Sequence, residues 1–170
     1  MTVAFLHLEH ILATDSPIHN KENQMPSVHN INDQRISKLN SFLRGEISAV
    51  ETYSQAISHL GGDSSGTLRE NLDCHSRRVA FLRDKIVESG GLPDETSGAW
   101  GSFAKLIERG AAIVGKQPVY NALEEGEDHG LKMYQEQSND DEVISDIIDT
   151  HLLPAQERTH ERMRRLKKIG

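Results

Sequence analysis

Glu46, His75 and Glu127 each stand where a helical pattern calls for an apolar residue. Glu46 interrupts the series Leu39, Leu43, Val50, Tyr53, Ile57, which recurs at steps of three and four. His75 falls in the series Leu68, Leu72, Val79, Leu82, Ile86, and Glu127 in Tyr120, Leu123, Leu131, Tyr134. An unpaired charge in such a seam costs roughly several kcal/mol, so each needs a partner or must lose its charge. Inward carboxylates and imidazoles from several helices form the ligand set of carboxylate-bridged iron or manganese sites. A divalent cation would neutralise both glutamates together. Glu46, His75, Glu127 and His160, which sits beside Met163, are therefore the expected metal ligands, with iron or manganese the expected ion. The competing chemistry is internal: the hydroxyls of Tyr53 and Tyr134 and the guanidinium of Arg78 are available to the same groups.

Four long helical patterns must position these side chains. The first runs from about Asp33 to His59 and stops at Gly61-Gly62. The second starts near Thr67 and ends before Gly90-Gly91-Leu92-Pro93. The third begins at Pro118, a residue suited to a first helical position, and reaches Gln137. The run SNDDE at 138–142 offers N-caps for the fourth, which continues to about Lys168 with a bend expected at Pro154. Short links make helices 1 and 2, and helices 3 and 4, antiparallel hairpins. The stretch from Gly91 to Lys116, weakly helical over 102–113, is long enough to return along the bundle. The expected fold is all-α: an antiparallel four-helix bundle, residues 33–170, with a partly helical crossover between helices 2 and 3. Residues 1–32 read as a mobile polar tail, and Met25 offers an alternative start.

Spacing and height argue against a regular dinuclear centre. That centre wants a Glu on each of two helices and Glu-x-x-His on each of the other two. Only Glu157 and His160 have that spacing; helix 2 carries Leu72 where the glutamate belongs. Folding the first hairpin about Asp63 sets His75 level with Glu51 and leaves Glu46 five residues away, about 7 Å along the axis. The second hairpin sets Glu127 level with His151 and His160 lower. A partial or mononuclear site is the form expected, with Glu51, Glu124 and His151 as open additions. Gly126, inside a helix, costs roughly 1 kcal/mol against Ala and suggests close helix packing or a nearby ligand.

Bulk properties narrow the classes. The 170 residues suffice for one ordinary domain. A net charge of −7 argues against a nucleic-acid surface, and the basic run at 161–168 complements a helix C-terminus. The single cysteine, Cys74, excludes an internal disulfide, fits a reducing compartment and reads as a small buried hydrophobe. No apolar run approaches the roughly 20 residues of a membrane helix, and the N-terminus lacks a basic n-region. A cytoplasmic protein is expected.

The segment RGEISAVETY resembles the first-helix Gly-Glu motif of the rubrerythrin and ferritin superfamily. More specifically, LNSFLRGEISAVETY, SGAWGSFAKLIERGA, LEEGEDHGLKMY and LLPAQERTH together are similar to a group of small bacterial ferritin-like proteins, the domain of unknown function numbered 2383. The likeness covers about residues 36–168. It implies a ferritin-like four-helix fold and places ferritin-type ligands on Glu46 and Glu127, with His75 and His160 as looser matches. The glutamate absent from helix 2 departs from the di-iron set, and the chain has no Cys-x-x-Cys module of a complete rubrerythrin.

Two functional readings follow. One is a protein that holds iron or manganese between bundle helices in a stress-protection role. The other is a metal-free helical bundle, its seam charges paired internally, that acts by forming a homo-oligomer or by binding a protein partner. No nucleophile motif supports hydrolysis, since Cys74 and His75 point to different helix faces.

Overall fold

The computed structural model describes residues 28–61, 65–98, 116–137 and 141–169, and every regular element among them is helical. In chain order these are α1 (Val28–Leu60), α2 (Ser65–Glu88), α3 (Gln117–Gln137) and α4 (Glu142–Ile147). A π-helical turn (Ile148–Leu152) then leads without a break into α5 (Leu153–Ile169). Residues 1–27 of the tail expected over 1–32, with its Met25 start, the helical crossover at 102–113 and residues 138–140 lie outside the described residues, whereas residues 28–32 belong to α1. Among the described residues no helix is long and apolar enough to cross a membrane.

Helix boundaries follow local chemistry with one tertiary addition. α1 begins at Val28 rather than near Asp33, and the Asn32 side chain ties the added turn down by donating to the carbonyl of Ser89 at 3.1 Å. It ends where Gly61 takes φ +53° and its N–H reaches the carbonyl of Ile57. α2 closes with paired bonds from Gly90 N–H to Val87 O and from Gly91 N–H to Ile86 O, both 2.9 Å, with Gly90 at φ +77°. Asp141 is the N-cap of α4; its Oδ1 accepts from the amides of Val143 and Ile144. Pro154 has no N–H to offer the turn before it. Just before it, where a bend is expected, the helical run contains the π turn, in which the Leu153 N–H bonds to Ile148 O, five residues back.

α1 packs on α2 and α3 on α5, with further contacts between α2 and α5 and between α1 and α3. The interior holds two apolar clusters. One gathers Leu39, Phe42, Leu43, Leu82, Ile86 and Tyr134 with Ile144, Ile147, Ile148 and Leu152 of the last helical run. The other gathers Tyr53, Ala56, Leu68, Val119, Tyr120, Leu123 and Met163. Where the first cluster ends the bundle, Arg35 pairs with Asp141 at 2.9 Å, and Asn40 bonds to the carbonyl of Leu92 and the amide of Asp94.

Gly91 packs so closely that a Cβ there would lie 2.6 Å from Cγ2 of Ile36 and 3.1 Å from Cγ2 of Ile86. Gly66, near the start of α2, has nothing within 4 Å of such a Cβ. Gly91→Ala is expected to cost about 1–3 kcal/mol in urea unfolding, whereas Gly66→Ala is expected to be neutral or stabilising by up to about 1 kcal/mol. Equal effects would remove this account of the α2 terminus.

Candidate functional site

Between the two apolar clusters lies a layer of buried polar side chains contributed by α1, α2, α3 and α5. Glu46, His75, Arg78 and Glu127 are each 4% exposed or less. His75 stands between the carboxylates, with Nδ1 2.8 Å from Glu46 Oε2 and Nε2 3.0 Å from Glu127 Oε1. Arg78 Nε lies 2.9 Å from Glu46 Oε2, an ion pair rather than an aligned hydrogen bond, and Nη1 has no hydrogen-bond partner among the described residues. The Tyr134 hydroxyl donates to Glu46 Oε1, and the Tyr53 hydroxyl to Glu127 Oε1 at 2.5 Å. Glu127 Oε2 accepts from Gln156 Nε2 at 2.6 Å and from the Thr159 hydroxyl at 2.7 Å. Asn71 completes the layer, donating through Nδ2 to the Tyr53 oxygen and to the carbonyl of Thr159, both at 3.0 Å.

Three of the four expected ligands therefore converge, and His160 does not join them. Its Nε2 lies 2.7 Å from Oδ1 of exposed Asp128. The open additions are also placed elsewhere: Glu51 accepts from the Ser97 hydroxyl, Glu124 pairs with Lys167, and His151 stacks on Phe81 with ring centroids 4.5 Å apart. The height estimate for the first hairpin is corrected by side-chain length. Arg78 is level with Glu46, and an imidazole and a glutamate together cover the axial offset that separates their backbones. In the second hairpin the estimate fails because α3 pairs with α5, beyond α4 and the π turn. Glu127 thus meets Gln156 and Thr159 instead of His151. Gly130 makes a close approach: a Cβ on it would lie 2.9 Å from Gln156 Nε2.

Spacing alone marks Gln156, Thr159 and Asn71, which the search for ionisable ligands passes over. Leu152, Gln156, Thr159 and Met163 continue one stripe at steps of four and three, and all four are buried. On α2 the inward series is Leu68, Asn71, His75, Arg78, Leu82, so Leu72 and Val79 flank it.

The electrostatics favour a neutral layer. With His75 protonated, two carboxylates face two cations; with it neutral, one negative charge is left buried. Burial and the Arg78 guanidinium, whose Nη2 lies 2.6 Å from Nδ1, push the imidazole down, but Glu127 and Glu46 push harder and raise it above its ordinary value. Burial would raise the Glu46 carboxyl; Arg78, His75 and Tyr134 instead lower it to about 2. Glu127 is likewise lowered, its burial outweighed by His75, Tyr53 and Thr159. Burial and the adjacent carboxylates hold Tyr53 and Tyr134 well above the usual phenol range, so both act as donors.

A carboxylate offers about four lone-pair positions. Glu127 receives four donors, from Tyr53, His75, Gln156 and Thr159. Glu46 meets the Tyr134 hydroxyl and His75 and is ion-paired with Arg78. A divalent cation would have to displace these donors beside a fixed guanidinium, so the arranged donor set does not fit one. Among the described residues no group of three or more His, Cys, Asp or Glu is spaced to hold a metal ion. Comparison with protein-family models, curated proteins and solved structures gives no match.

Two predictions follow from the layer. Glu46, lowered to about 2, and Glu127, also lowered in the fold, contribute stability above the ordinary glutamate pKa that is lost as pH falls through their folded values. His75, raised in the fold, contributes stability below about 6.5 that is lost as pH rises through its folded value. The thermal midpoint should therefore be highest between about pH 4.5 and 6.5 and fall on both sides; a midpoint still climbing above pH 7 would contradict a protonated His75. Arg78→Met should cost about 3–5 kcal/mol by stranding Glu46, while Arg77→Met, at an exposed pair with Asp73, should stay within about 0.5 kcal/mol. Comparable losses in urea unfolding would show that Arg78 does not neutralise the layer.

Proposed function

We propose that the chain is a ferritin-like helical bundle that works without a bound metal, its seam charges neutralised from within, and that it acts by self-association or by binding a protein partner. The observation that carries this reading is the Arg78 guanidinium against Glu46 with His75 seated between the two carboxylates. The four sequence motifs support the superfamily assignment. Antiparallel pairing of α1 and α2 is supported by partners that recede along α2 as α1 advances: Asn32 with Ser89, Glu46 with Arg78, Tyr53 with Asn71. A crossover between α2 and α3 belongs to the same proposal and rests on the length of chain from Gly91 to Lys116. A contact surface is supported at the end of the bundle where α1 begins, α2 ends and α4 begins. There Leu92 is 87% exposed and Val87 61%, with Ile31 and Val143 also exposed.

A competing reading gives the bundle iron or manganese, bound by Glu46, His75, Glu127 and His160, for stress protection. Convergence of the first three favours it. It requires the donors to be displaced and His160 to leave Asp128.

Untagged protein grown with iron and manganese separates the two readings. Elemental analysis is expected to find metal well below one equivalent, with the melting temperature unchanged by chelator or by added Fe(II) or Mn(II). Stoichiometric metal that disappears in Glu127→Gln would overturn the metal-free reading. In sedimentation, Leu92→Ser is expected to weaken any concentration-dependent assembly.

A further inference from the structure

A cavity of about 70 Å³ opens between α1 and α3 beside the charge layer. Its walls are made by Gly45 and Ala49 of α1 and by Leu123, Gly126, Gly130 and Met133 of α3. A methyl group built on Gly45 would meet only Met133 Cε, at 3.6 Å, so the space is not filled by neighbouring side chains. The polar groups at its floor are already engaged. The Thr52 hydroxyl donates to Ser48 O, both His75 nitrogens face carboxylates, and Glu46, Glu127 and Gln156 are bonded within the layer. Among the described residues both carboxylates that line the cavity are engaged, so an entering cation would find no free counter-charge. A small uncharged molecule would gain contact with Cα, methyl and thioether groups at no electrostatic cost.

We propose that this cavity is a binding site for a small, uncharged, largely apolar molecule. The volume is roughly half of the ~150 Å³ that takes up benzene, so the ligand has on the order of three or four non-hydrogen atoms. The inference rests on the reading that the layer is satisfied internally. It gives Gly45 and Gly126, which both line the cavity, a role: together they hold open a space that larger side chains would fill.

The test uses the ¹⁵N-labelled full chain at pH 6, with xenon as the apolar probe and methylammonium as a charged probe of similar size. Xenon pressure is expected to produce saturable amide shifts at Gly45, Ala49, Gly126 and Gly130. Gly126→Leu, checked for a helical spectrum and a cooperative melt, should abolish them; Gly45→Val serves if that variant does not fold. Xenon shifts that are absent, that grow linearly without saturation, or that persist in the filled variant overturn the cavity site and leave the internal pairing standing. Saturation of the same amides by methylammonium overturns both, because it requires a carboxylate free to receive a cation.

Discussion

The rest of the interior is arranged around one electrostatic constraint: two carboxylates buried at the middle of a helical bundle must be neutralised there. Arg78 supplies one fixed positive charge, and His75, its pKa raised by the two carboxylates, supplies the other when protonated. Every remaining lone pair of Glu127 and one oxygen of Glu46 are then taken by neutral donors from α1, α3 and α5. This explains why the apolar core is divided into two clusters with a polar sheet of side chains between them. It also explains why small residues stand beside the layer. Gln156 reaches Glu127 only because Gly130 leaves it room.

A layer of this kind specifies more than it stabilises. Two buried ion pairs recover little beyond their own desolvation, and apolar residues of similar volume would serve stability as well or better. What hydrogen bonds of fixed geometry supply is register. Glu46, His75 and Glu127 meet at only one axial offset of α1, α2 and α3, whereas leucines would tolerate several. Gln156 and Thr159 extend the same restriction to α5. The π turn before Pro154 adds one residue to the path between α4 and α5, and so helps decide which side chains of α5 face inward.

The fold was legible where local chemistry governs it. Glycine at the ends of α1 and α2, Asp141 at the start of α4 and the three-four spacing of apolar residues locate the helices to within a few residues. Glu46, His75 and Glu127 were legible as a set, because charge in an apolar stripe demands an explanation. How they are satisfied was only half legible. Arg78, Tyr53 and Tyr134 could be named as available partners, but spacing does not tell a hydrogen bond from a metal bond. His160 misled because its Glu-x-x-His context matched a known pattern, while its inward neighbours Gln156 and Thr159 carry no charge to attract notice. Heights failed for a different reason. A hairpin estimate assumes that the helices on either side of a link pair directly, and α4 with the π turn stands between α3 and its partner α5.

The neutral donors also bear on how the sequence can drift. Losing Glu46 alone strands Arg78, losing Arg78 alone strands Glu46, and either loss alters the proton held by His75. Single exchanges within the layer therefore pass through intermediates that bury an unmatched charge, whereas a simultaneous replacement by apolar residues does not. Related chains should either keep Glu46, His75, Arg78 and Glu127 together or lack all of them together. Correlated variation at these positions, and its absence at His160, would be the evolutionary trace of a core balanced as one unit.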